Sequence, residues 1–234
     1  MNYPTQAGGS GSVLLLGVGG LGSAVAWALA GSGIARLGLV DDDRVTLSNL
    51  HRQILYRVSD LDQSKATRAA QRVRQLAPAL QVEVHAERLD HLEAIADRAK
   101  GYDLLIDGSD NFRTRFAAND AAVLRHIPLL HGAATGLRGQ LTLIPPGGKP
   151  CLRCLFEAPP AVEGSCRSEG VWGALVGEVG WLMALEAIKW LKGLGEPLIG
   201  RLLTIDLESS RRRVVTWQVN PSCPVCLRAT GPSS

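Results

Sequence analysis

The chain has 234 residues, 20% of them charged, with 25 Lys or Arg against 22 Asp or Glu and a formal net charge of +3. That length suffices for one sizeable α/β core, and the interspersed, nearly balanced charge excludes nucleic acid or an anionic membrane as the main partner. The opening MNYPTQAGGSGS has neither the basic nor the apolar region of a secretory signal, so a cytoplasmic protein is expected.

Residues 13–35 carry no charge, but Gly17, Gly19, Gly20, Gly22 and Gly31 interrupt them, which suits a buried strand, turn and helix better than a membrane span. Short apolar runs predict strands at Val13–Gly17, Leu37–Asp41, Val82–His85, Leu104–Asp107 and Pro128–Gly132. Between them, helices are predicted at Leu21–Ala30, Ser64–Leu76, His91–Ala99 and Arg113–Leu124. This alternation implies a Rossmann-like, doubly wound, mostly parallel sheet with helices on both faces. After Gly136 the pattern changes. Gln140–Ile144, Arg201–Asp206 and Val214–Val219 predict an antiparallel extension, with a long helix at about Leu175–Leu191. Residues 1–12 and 229–234 are expected to be flexible, and residues 13–228 to form one domain.

Gly17-x-Gly19-x-x-Gly22 lies where a strand gives way to a helix. The first glycine permits the turn, the second lets backbone approach a phosphate, and the third packs helix on strand. Asp41 follows Gly22 by 19 residues, at the end of the second strand, the spacing of a ribose-binding carboxylate. Nothing in VDDDRVTLSNLHRQIL suggests a nicotinamide pocket. Instead Asn49, Arg52 and Gln53, with Lys65 on the next helix, form a polar and cationic set suited to a triphosphate, although Arg52 and Lys65 taken alone could be solvated surface residues. Asp107 and Asp110 end the fourth strand, where a carboxylate could hold Mg²⁺ or an Asp or Asn could cap the next helix. Cys151-x-x-Cys154 and Cys223-x-x-Cys226 suit a tetrahedral Zn²⁺, with disulfides or free thiols as the alternative. Cys166, in EGSCRSEGVWG beside Arg167, is either a reactive thiolate or a small buried residue.

In order, GVGGLGS, DDDRVTLSNLHRQIL, Lys65, DGSDN, CLRC, SCRSEG, EAIK and CPVC resemble the ThiF/MoeB/HesA family, bacterial relatives of ubiquitin-activating enzymes, over residues 13–226. The resemblance implies an adenylyltransferase that uses ATP and Mg²⁺ on the C-terminal Gly-Gly carboxylate of a ubiquitin-like sulfur carrier. It implies that Gly20 meets the phosphates and Asp41 the ribose. Ser48, Asn49, Arg52 and Lys65 would surround the triphosphate, and Asp110, next to Asn111, would serve Mg²⁺. It divides the domain into a nucleotide part, about 13–135, and a carrier-binding and zinc part, about 136–228. SCRSEG is similar to the NCRTAG-type segment in which a cysteine links to the activated carrier. This favours the thiamine branch, with a ThiS-like carrier and a persulfide sulfur donor, over a MoaD-like carrier in molybdopterin synthesis. Members form homodimers and start with an RYSRQ-like helix whose arginine reaches the neighbour's ATP, whereas MNYPTQAGGSGS has no arginine. Adenylation of another carboxylate, such as a modified tRNA base, and a catalytically impaired nucleotide scaffold are the other readings.

Overall fold

A computed structural model describes residues 11–156 and 170–227. Its centre is β1 (Ser12–Leu16), five residues buried throughout. Successive side chains of a strand point to opposite faces. Val13 and Leu15 accordingly enter one core cluster, and Leu14 and Leu16 enter the other. A strand covered on both sides is apolar nearly throughout, which is why its sequence reads as an unbroken run from Val13 to Leu16.

The chain then winds outward through α1 (Gly20–Ala30), β2 (Arg36–Val40), α2 (Lys65–Leu76) and β3 (Gln81–His85). It returns through α3 (Leu92–Arg98) to β4 (Leu104–Asp107), which pairs with the other edge of β1. Next come α4 (Phe112–Arg125), β5 (Leu129–Thr135), β6 (Arg138–Ile144), the short α5 (Leu152–Leu155), the 20-residue α6 (Gly173–Lys192), β7 (Arg201–Asp206) and β8 (Arg211–Thr216). The strands form one sheet in the order β3-β2-β1-β4-β5-β6-β7-β8. β1 to β5 are parallel, and β6, β7 and β8 join antiparallel. The strand order reverses between β1 and β4, so a crevice opens beyond their carboxyl ends, the binding position of doubly wound folds.

Helix α6 packs mainly on α1. Gly180 permits the approach, because a Cβ there would strike Ala24 and the Leu21 carbonyl. Among the described residues, no helix is long and apolar enough to cross a membrane.

Three strands differ from the sequence reading. β5 and β6 are longer than expected, because they form a continuous antiparallel ladder from Leu129↔Ile144 to Thr135↔Arg138. β8 runs over Arg211–Thr216 rather than Val214–Val219. The turn after Asp206, whose carboxylate accepts the Glu208 and Ser209 amides, fixes the hairpin register. Three exposed arginines therefore occupy an edge strand, while Trp217 and Val219 pack beside the cysteine-rich end. Apolar pattern alone marked the valines and passed over the arginines.

Candidate active site

Residues at the carboxyl ends of β1, β2 and β4 line a cleft of about 700 Å³. Gly17 sits at φ +81°, a conformation that glycine adopts without a Cβ penalty. The turn it begins is fixed from several sides. The Gly17 amide donates to Val40 O at 2.8 Å, and the Val18 amide donates to Asp41 Oδ2 at 2.7 Å. The buried Tyr56 hydroxyl donates to Val18 O at 2.7 Å. Gly19 and Gly20 line the cleft at the start of α1, so the first amides of that helix face it and favour an anion there. Gly22 does not line it. A Cβ at that position would overlap the Gly17 carbonyl, so Gly22 lets α1 close on the turn.

Asp41 Oδ1 also accepts the Asp43 amide at 2.9 Å. Burial pushes this carboxyl above its ordinary value, outweighing the Val18 amide bond and the charge of Lys65. Its bonds to backbone leave further lone pairs for hydroxyl donors in the cleft. Ser48 and Asn49 stand on a single 3₁₀ turn, Leu47–Asn49. Asn49 Oδ1 accepts from Arg52 Nη2 at 2.9 Å, and the Arg52 amide donates to Asn49 O at 3.1 Å. The guanidinium is thus oriented before a ligand arrives. Lys65 opens α2, its Nζ 2.7 Å from Asp43 Oδ2, with its side chain only 4% exposed. The Gln53 side chain is buried, and its Oε1 has no hydrogen-bond partner.

On the opposite lip, Asp110 is exposed and has no ion-pair partner among the described residues. Asn111, not Asp110, caps α4 by accepting the Thr114 amide at 2.9 Å. Asp107 is fully buried, accepts from Ser109 Oγ at 2.5 Å and meets His131 Nδ1 at 2.8 Å. It belongs to the interior and is not available to a metal in the cleft. The cleft therefore unites Gly17, Gly19, Gly20, Asp41, Ser48, Asn49, Arg52, Gln53, Lys65, Asp110 and Asn111.

The four paired cysteines lie apart from the cleft. Their sulfurs fall within 4.8 Å of one another, with Cys151–Cys223 at 3.6 Å, Cys154–Cys226 at 3.5 Å and Cys151–Cys154 at 4.0 Å. Zn–S bonds of about 2.3 Å set tetrahedral sulfurs about 3.8 Å apart, whereas a disulfide needs about 2 Å. Burial and the neighbouring thiols push Cys151 up to about 12. At Cys223 burial acts the same way, but the Val225 and Cys226 amides outweigh it and lower the thiol. Cys166 lies outside the described residues.

Residues 6–225 match the ThiF family. The chain belongs to the ThiF family. Over 223 residues it is 45% identical to the sulfur carrier protein adenylyltransferase of Thermus thermophilus, covering 92% of this chain and 82% of that protein. Over 218 residues it is 45% identical to the adenylyltransferase and sulfurtransferase MOCS3-2 of Zea mays, covering 92% of this chain and 45% of that protein. The chain thus spans about half the length of the maize relatives it matches. It superposes on Escherichia coli MccB, solved with ATP, with a TM-score of 0.82 at 21% identity over 92% of this chain and 66% of that one, a likeness of fold.

Three contributors carried no local signal in this ThiF-family sequence. Tyr56 supports the turn from 38 residues away. Arg115 reaches the cleft wall from α4 and donates to Ser109 O at 3.2 Å. His131 meets Asp107 only because β4 and β5 pair Asp107↔His131.

Proposed function

We propose that this protein is an ATP-dependent adenylyltransferase that activates the C-terminal Gly-Gly carboxylate of a ubiquitin-like sulfur carrier. The observation that carries this reading is the meeting, in one cleft, of helix amides, Asp41, Arg52, Lys65 and Asp110 on a ThiF-family chain. In the reaction a carboxylate oxygen attacks the α-phosphorus of ATP, the bond to the bridging oxygen breaks, and pyrophosphate leaves with the electron pair. No protein nucleophile is required. Catalysis rests on positioning and on neutralising the phosphate charge.

The residues fit these roles. The Gly17–Gly20 turn and α1 amides hold phosphate, and the carboxylate of Asp41 accepts from the ribose hydroxyls. Gln53 Oε1, buried without a partner, waits for a donor from the ligand. Arg52, held by Asn49, and Lys65, held by Asp43, meet the triphosphate with two fixed positive charges. The Asp110 carboxylate, without an ion-pair partner among the described residues, would hold Mg²⁺, which would supply charge neutralisation for the departing pyrophosphate. Cys151, Cys154, Cys223 and Cys226 would hold Zn²⁺, which ties the C-terminal segment to the loop after β6.

Within this class we assign the chain to the thiamine branch, with a ThiS-like carrier, a persulfide sulfur donor and Cys166 as the sulfur-linking residue, on the strength of SCRSEG. Residues 13–228 would act as a single adenylation domain in a cytoplasmic homodimer. ATP–pyrophosphate exchange with a panel of ThiS-like and MoaD-like carriers tests the reading. Exchange that depends on a ThiS-like carrier is expected, preference for a MoaD-like carrier would move the chain to the molybdopterin branch, and no exchange with any carrier would refute the activity. Sedimentation as a monomer at micromolar concentration would refute the dimer.

A further inference from the structure

Helix α4 starts at the nucleotide cleft, where Asn111 caps it. About two turns further on it carries a polar pair that the nucleotide site does not use, Asn119 and Asp120. Asn119 is fully buried, on a helix whose Ala118, Ala121 and Ala122 enter the core. A buried amide costs stability unless it is paired, and packing alone would be served as well by leucine. Both ends of this amide are paired. Oδ1 accepts the Leu152 amide at 2.7 Å, and Nδ2 donates to Asp120 Oδ1 at 2.9 Å. The Asp120 carboxylate in turn accepts from Arg153 Nε at 2.8 Å and from Arg153 Nη2 at 2.7 Å, a two-pronged contact, while the guanidinium lies 4.8 Å from the centre of the Phe116 ring.

Leu152 and Arg153 are the two residues between Cys151 and Cys154. They belong to α5, a helix of four residues, and a single turn is far too short to hold its own shape. Cys151 stands at the cap position, but its side chain makes no capping bond and turns its sulfur to the other cysteines. Asn119 supplies the missing cap from 33 residues away. The Cys154 amide, donating to Cys151 O at 2.8 Å, closes the turn. The second cysteine pair is built differently. Asn220 shapes its turn from within: Asn220 O accepts the Cys223 amide at 2.9 Å, and Asn220 Oδ1 accepts the Ser222 amide at 2.8 Å. Pro221, Ser222 and Pro224 around it are exposed. One pair is thus fastened to a core helix, and the other is shaped by its own short turn.

We propose that Asn119 and Asp120 are positioning residues that pre-form half of the zinc site. They hold the Cys151–Cys154 turn in its metal-binding shape before an ion arrives, and binding is completed when the Cys223–Cys226 turn closes on it. This rests on the reading of the four cysteines as a zinc site. Fixing one half beforehand lowers the ordering cost of binding, as a hydrogen-bond partner behind a metal ligand does.

Two variants test it. Asn119→Leu keeps the bulk and removes the cap on Leu152, and Asp120→Ala releases Arg153. Competition between the folded protein and a chromophoric chelator should show zinc affinity lowered about 10–100-fold in each. Asp120→Ala combined with Arg153→Met should lose little more than either alone, because both break the same contact. Ala117→Gly weakens α4 but leaves both contacts, so it should keep the wild-type zinc affinity. Alkylation of zinc-stripped protein, followed by mass spectrometry, should modify Cys223 and Cys226 before Cys151 and Cys154 in the wild type, and all four together in Asn119→Leu. Unchanged zinc affinity in either variant, an equal loss in Ala117→Gly, or simultaneous alkylation of all four cysteines in the wild type overturns the proposal. If Asn119→Leu fails to fold, Asp120→Ala and the wild-type alkylation order decide. Wild type that binds no zinc refutes the metal reading and this proposal with it, whereas zinc-bearing wild type whose affinity neither variant changes refutes this proposal alone.

Discussion

Replacing Lys65 with methionine separates what the fold needs from what the reaction needs. The side chain is 4% exposed, whereas its partner Asp43 is 66% exposed. An ion pair with so exposed a carboxylate contributes about 0–1 kcal/mol. Against this, Lys65 is the first residue of α2, where the positive end of the helix dipole disfavours a cation by about 0.3–1 kcal/mol. Taking the ammonium out of water costs more still, while methionine keeps most of the buried apolar stem. The costs equal or exceed the gain, so Lys65→Met should leave unfolding stability level or raise it in urea titration. Removal of one preorganised charge at the phosphates should, however, lower ATP–pyrophosphate exchange at least ~100-fold. A variant that loses several kcal/mol of stability while its exchange stays near wild type would show that Lys65 is structural, and the triphosphate assignment would collapse.

Elemental analysis of freshly prepared protein should find about one Zn²⁺ per chain, and Cys154→Ser should lose metal and lower the melting temperature while nucleotide binding survives in the folded fraction; metal-free, fully stable wild type would contradict this. Nucleotide affinity should fall on acidification with a midpoint above 3.8, because burial raises Asp41 and its protonated form is a poorer acceptor for ribose hydroxyls. The fold should outlast that loss: Asp107 is held below 3.8, so its contribution is present above this value and disappears only as pH drops through the lower folded one. Asp41→Asn should abolish the midpoint, and its persistence there would point to another group. Cys166→Ser should retain adenylation, since attack on phosphorus needs no thiol, but should reduce sulfur loading of the carrier; mass spectrometry that finds equal loading and no reducible adduct in the wild type would return Cys166 to a packing role.

The sequence by itself determined the parallel half of the sheet, because strands buried on both faces read as near-continuous apolar runs, as in Val13–Leu16 and Leu104–Ile106. It also determined the nucleotide turn, since only glycine takes the φ of Gly17 and tolerates the contact at Gly22 without strain. The two cysteine pairs were legible from their short internal spacing. That they converge was decided by the fold, which brings Cys151 to within 3.6 Å of Cys223 across 72 residues. Tertiary structure alone also decided the register of β8, because turn geometry and ladder pairing, not apolar pattern, fix which residues an exposed edge strand contains. The same holds for two buried side chains near the cleft, Arg115 and His131. Arg115 looks like any helical arginine and His131 like a lone histidine in an apolar strand. Their burial and the Asp107 pairing across β4 and β5 depend on side chains brought together from distant segments, and no local spacing encodes such a meeting.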